Sequence, residues 1–106
     1  MIQIINLTPH DIHVGTKVFL ASGVVARCSE YPTILPKWEE LLGVPIAKMS
    51  YGAVEGLPDQ QLDVYYIVSS LVRTALPKRQ DLLSPGGLIR DDQGRPCGST
   101  YLIKNK

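Results

Sequence analysis

The stretch that most constrains this chain is Val64 to Gly87, VYYIVSSLVRTALPKRQDLLSPGG. It opens on Val64-Tyr65-Tyr66-Ile67-Val68, a continuous run of β-branched and aromatic residues that predicts a central strand buried on both faces. Ser69 and Ser70 follow, and a serine oxygen at a helix start accepts from an otherwise unpaired backbone N–H. Leu71, Val72, Ala75 and Leu76 then share one helical face, with Arg73 on the other. Pro77 limits that helix to about two turns. Lys78 and Arg79 place positive charge at its end, where the helix dipole favours it. So short a helix must be held by packing on a sheet. Leu82-Leu83 begin another extended piece, which Ser84-Pro85-Gly86-Gly87 is expected to stop.

The rest of the chain reads as short strands around this spine. Ile2, Ile4 and Ile5 open a strand that Asn6–Asp11 (NLTPHD) breaks at a corner fixed by Pro9. Ile12-His13-Val14, the turn Gly15-Thr16 and Lys17–Leu20 read as a tight hairpin. Ala21-Ser22-Gly23 turns, and Val24–Cys28 is a further strand. Pro36–Gly43 has a helix-like start and a glycine stop. It is either one helical turn or an irregular excursion; the excursion is favoured, with Trp38 folded back as an apolar lid. Pro45–Val54 is extended, with Gly52 a candidate bulge. Leu88–Arg90, the turn Asp91–Gly94 and Arg95–Leu102 make a terminal hairpin, and Lys104–Lys106 a frayed tail. The expectation is one α+β domain over residues 1–106: a mainly antiparallel sheet of short strands with one short helix packed on it.

Composition narrows the function classes. Apolar residues make up 44% and charged ones 20%, which is enough to build a core without metal or disulfide staples. A formal net charge of +1 gives no field to draw in a nucleic-acid backbone, so nucleic acid is an unlikely partner. The start MIQIINLTPHD lacks a basic segment followed by a long apolar run, and no run is long enough to span a bilayer. A cytoplasmic protein without membrane attachment is expected. Cys28 and Cys97 stand alone and read as two reduced, half-buried thiols.

Two places could carry chemistry. At Ser69-Ser70, the free amides of a helix start suit an anion. Arg73, Arg79, Arg90 and Arg95 could add charge-assisted bonds to a phosphate or carboxylate if they converge. Otherwise the serines merely cap, and the arginines are solvated or paired with Asp81, Asp91 and Asp92. In the NLTPHD corner, Asn6, Thr8, His10 and Asp11 gather four polar groups; such residues at turns more often bond their own backbone. His10 and His13, three apart on a strand, would face opposite ways, and no third ligand has a metal spacing. Neither a catalytic residue nor a cofactor is assigned. The run YIVSSLV lacks the glycines of a nucleophile elbow.

IINLTPHDIHV, YGAVEGLPD and YIVSSLVRTALPKRQDLLSPGGLIRDDQGRPCG together resemble a set of small phage and bacterial proteins, mostly of unassigned function. The resemblance covers most of the chain, sparing mainly Glu30–Leu42. By analogy with that setting, it implies a protein that acts by binding, including anti-defence proteins that sequester nucleotide-derived signals in the host cytoplasm. The leading expectation is therefore a non-enzymatic, homodimeric binder of a small anionic ligand near Ser69, Ser70, Arg73, Arg79 and Arg90, oriented by His10 and Asn6. A second is a module that blocks a host protein through an exposed strand edge and Trp38. A third is a small hydrolase acting on a phosphorylated substrate.

Overall fold

The computed structural model describes all residues, Met1–Lys106. Along the chain run β1 (Gln3–Asn6), β2 (Ile12–Val14), β3 (Lys17–Phe19), β4 (Arg27–Ile34), α1 (Pro36–Leu42), β5 (Ala47–Glu55), β6 (Val64–Ile67), α2 (Ser70–Ala75), β7 (Leu82–Arg90) and β8 (Pro96–Lys104). The predicted spine forms as β6–α2–β7. Ser69 caps α2 by accepting from the Val72 N–H at 3.2 Å. The connection brings β7 back parallel to β6, in register Tyr66↔Leu82 and Ile67↔Leu83.

Six strands form one sheet in the order β1-β6-β7-β8-β2-β3. Three of its contacts are parallel (β1·β6, β6·β7, β2·β8) and two antiparallel (β7·β8, β2·β3). An isolated bridge from Asn6 to Ala21, just past β3, nearly joins the two edges, with Ser22 N donating to Asn6 O at 3.1 Å. The sheet is thus a nearly closed, barrel-like mixed sheet, which corrects the expectation of a mainly antiparallel one. The meander reading assumed that neighbours in sequence pair in space, yet β1 pairs with β6 across more than fifty residues. The β2–β3 hairpin turns at Gly15 (φ 60°), as its sequence predicts.

β6 is central, and its alternating residues Tyr66 and Ile67 are both essentially inaccessible to solvent. Tyr66, Val68, Val72, Leu82, Leu7 and Ala26 form the core cluster, with Cys28, Val54, Leu57 and Leu76 packed against it. Burying Val72 alone is worth about 1.5–3 kcal/mol, enough to hold a helix too short to persist unaided.

Three further expectations are corrected. The segment Ser84-Pro85-Gly86-Gly87 does not stop β7, which runs on to Arg90 beside β8. Pairing with β6 ends at Leu83, so Pro85 occupies an edge position where its missing N–H leaves no ladder bond unmade on that side. A Cβ on Gly86 would sit 2.6 Å from Ile103 and Tyr101 side-chain atoms, so glycine lets β8 close in. The C-terminal tail is not frayed, because Asn105 is buried beneath α2. There are two helices, not one. Pro36 opens α1, and Gly43 ends it in the left-handed region (φ 76°), with its N–H donating to Glu39 O at 2.8 Å.

β4 and β5 form a separate two-stranded ribbon with α1 at its tip. The register slips by one where Ser29 of β4 faces both Gly52 and Ala53 of β5, so the bulge lies on β5 at Gly52, as its sequence predicts. This arm joins the body at its base, where Ala26, Cys28 and Val54 meet the core. Trp38 is half exposed at the tip and covers nothing in the body, contrary to the lid expectation. No helix is long and apolar enough to cross a membrane.

Candidate binding site

The NLTPHD corner is held by Asn6. Its Nδ2 donates to the carbonyls of His10 and Phe19, both at 2.8 Å, and its Oδ1 accepts from Thr8 N (2.9 Å) and Thr8 Oγ1 (2.7 Å). That fills the hydrogen-bonding capacity of a primary amide. Asn6 is only 2% exposed, so it has nothing left to offer a ligand. Asp11 is likewise engaged, accepting from Ala21 N at 2.8 Å. Asn6 and Asp11 fasten the corner to the segment after β3, which is the structural alternative for this motif.

The corner and the serine turn are neighbours. β1 and β6 lie parallel, and Leu7 N donates to Ile67 O at 2.8 Å, so both segments leave the same end of the sheet. Ser69 and Ser70 are exposed there. The arginines are not gathered around them. Arg73 donates through Nε to Ser84 Oγ at 2.7 Å and through Nη1 to Asn105 Oδ1 at 3.1 Å. Arg79 makes a bidentate pair with Asp81 (2.8 and 2.7 Å) and also donates to the Pro58 carbonyl at 3.0 Å. The hydrogen bond to Asp81 raises the Arg79 pKa above the ordinary arginine value, opposed by partial burial and helped by the Asp81 charge. Arg90 donates to the Gly94 carbonyl at 2.9 Å in the β7–β8 hairpin. It stands six residues past Ser84 on an extended strand, about 20 Å away. Arg73 therefore ties α2 to β7 and Asn105, Arg79 ties the loop after α2 to Asp81 and Pro58, and Arg90 closes a turn.

Sequence reasoning named Asp81 as a partner for the arginines but missed Asn105 and Ser84, which complete this network. Asn105 Nδ2 donates to the carbonyls of Arg73, Leu76 and Arg79 at 3.0–3.2 Å, closing the C-terminal end of α2. Ser84 and Asp81 are buried and accept from the two arginines. The Arg79–Asp81 pair is the expected one, while nothing in the sequence marked Asn105 or Ser84.

A cleft of about 420 Å³ lies between the corner, β2, β7 and β8. His10, His13, Pro85, Leu88, Cys97 and Ser99 border it. Both histidines border this cleft; His10 sits in the bend before β2, so the alternation of a strand governs His13 alone. No three His, Cys, Asp or Glu side chains stand together as a metal set. Cys97 is exposed at the cleft, and only Cys28 matches the half-buried expectation.

The arm offers a different surface. α1 has no buried residue, although Trp38, Leu41 and Leu42 recur at the i, i+3, i+4 spacing of an apolar stripe. Each ribbon strand keeps one unpaired edge. Compared with protein families, curated proteins and solved structures, the chain matches none. Fold and surfaces together define a small barrel-like α+β protein that projects a helix-tipped arm.

Proposed function

We propose that this protein is a non-enzymatic interaction module whose docking element is the arm formed by β4, α1 and β5. One observation carries the reading: no residue of this helix's apolar stripe is buried, and Trp38, Leu41 and Leu42 each keep about half or more of their surface in solvent. An amphipathic helix gains most of its stability from packing that stripe, so an unburied one is built to meet another surface. The open strand edges beside it could extend such a contact by backbone pairing. By the phage-type resemblance, a host protein that the module inhibits is one such partner. Capture of binding proteins on immobilised chain should be lost with Trp38→Ala plus Leu41→Ala and kept with Arg73→Ala. Capture indifferent to the arm substitutions would refute the reading.

A second reading, sequestration of an anionic nucleotide-derived ligand, draws support from the corner and the serine turn sharing one end of the sheet. Its contacts would come from His10, Ser69 and Ser70, since Arg73, Arg79 and Asn6 already have internal partners. Titration calorimetry with nucleoside mono- and diphosphates should then show heat that His10→Ala abolishes. Absence of heat at millimolar ligand rejects it.

A further inference from the structure

We infer that the arm's occupant is a second copy of this chain, so that two arms pack on each other in a two-fold homodimer; this rests on the arm being a protein-docking element. The ribbon is two-faced. Its register places Ile34 opposite Ala47, Pro32 opposite Met49 and Glu30 opposite Tyr51 on one side, and Thr33 opposite Lys48 and Tyr31 opposite Ser50 on the other. On the second side the Thr33 and Ser50 hydroxyls lie 3.2 Å apart in a hydrogen bond. On the first, Ile34, Met49 and Tyr51 expose apolar surface beside Glu30, and the stripe Trp38, Leu41, Leu42 lies at the tip of the same arm. Each of these six side chains is between 45% and 73% exposed.

The size of that surface fits a copy of itself. With aromatic side chains of about 150–250 Å² and somewhat smaller aliphatic ones, the six leave on the order of 600 Å² or more in solvent. Stable interfaces bury about 1,200–2,000 Å² in total, and two such arms together reach the low end of that range. Charge permits it too. Residues 27–55 hold three cations (Arg27, Lys37, Lys48) and four anions (Glu30, Glu39, Glu40, Glu55), a net of −1, so like arms repel little. The same near-neutrality gives a nucleic acid or an anionic membrane nothing to hold.

Shape points the same way. The radius of gyration is 16.9 Å, where a compact chain of this length has about 13 Å. An isolated two-stranded ribbon is marginal in water, so the arm lacks internal reason to stand out alone. A surface that needs constant cover is best met by the partner made with it, and an isologous two-fold contact uses the same patch on both copies.

Light scattering on the full chain at micromolar concentration should give twice the 11.7 kDa chain mass. The pair Leu41→Glu, Met49→Glu should return the mass of one chain with an unchanged far-ultraviolet spectrum. Leu62→Glu, on the most exposed apolar side chain of the body after Met1, should leave the dimer intact. Trp38 is the sole tryptophan and reports independently: its emission should shift to the red on dilution below the dissociation constant. A single-chain mass up to a few hundred micromolar, or a multimer that the arm pair does not dissociate, overturns the inference. If the chain is single yet captures another protein through Trp38 and Leu41, the docking reading survives and self-pairing does not. If neither occurs, both fall.

Discussion

Asn6 shows how a polar residue that looks like a ligand contact can be wholly structural. Amide, hydroxyl, imidazole and carboxylate do crowd into NLTPHD. The partners of the amide, however, are the carbonyls of His10 and Phe19 and the two donors of Thr8. Asn6→Ala strands these groups in a buried site and should cost about 3 kcal/mol in urea unfolding, with Asn6→Asp similarly damaging because it lacks the two donors. The arginines teach the same lesson. Asn105→Ala removes the acceptor of Arg73 and the donor to three carbonyls, for an expected loss of about 2 kcal/mol in the same assay. Arg79 is 23% exposed while Asp81 is 3%, so Asp81→Ala should cost about 2–3 kcal/mol, at the low end for a broken pair. The pKa of Arg79 is raised in the fold, so its contribution is fully present below the unfolded value and is lost only as pH rises past the folded one. That window lies above any ordinary working pH, and stability attributable to the Arg79 proton should be flat from pH 6 to 9. A titration slope in that range removed by Arg79→Lys would contradict this.

Among the elements, local signals succeeded where they were strong and failed where a neighbour decided. The cap at Ser69 and the turns at Gly15 and Gly94 form as their residues dictate. α1 also carried its own signals, Pro36 at the start and Gly43 at the stop, and they prevailed over the excursion reading. β7 is the opposite case. Proline and two glycines read as a stop, yet the unpaired side beyond Leu83 tolerates Pro85, and the glycines admit Tyr101, Ile103 and Thr100. Gly87 is the sharper test, since its φ of 59° disfavours any side chain and a Cβ would collide with Thr100 Oγ1. Gly87→Ala should lower stability by about 2 kcal/mol or more, with the β7–β8 hairpin losing amide protection first. Ser69→Ala, by contrast, should cost only about 1 kcal/mol, the value of a lost cap.

The whole molecule divides into a nearly closed barrel and an arm that reaches outward, with extents of 55 × 39 × 25 Å. Stability should divide likewise. Native-state hydrogen exchange on the Leu41→Glu, Met49→Glu chain should find β6 and its neighbours most protected and the β4–β5 amides least; equal protection of arm and barrel would argue against an unsupported arm. The sequence by itself determined the buried strand at Val64–Val68, the capped helix after it, the hairpins and the α+β class, because each depends on residues within a turn or two of one another. Only the tertiary structure decided that β1 lies parallel to β6 and that Asn105 closes α2 from the far end of the chain. It also decided that Arg73, Arg79 and Arg90 go to separate internal partners. Those outcomes turn on which distant groups reach hydrogen-bonding range once the barrel closes, and periodicity along a chain carries no record of such distances.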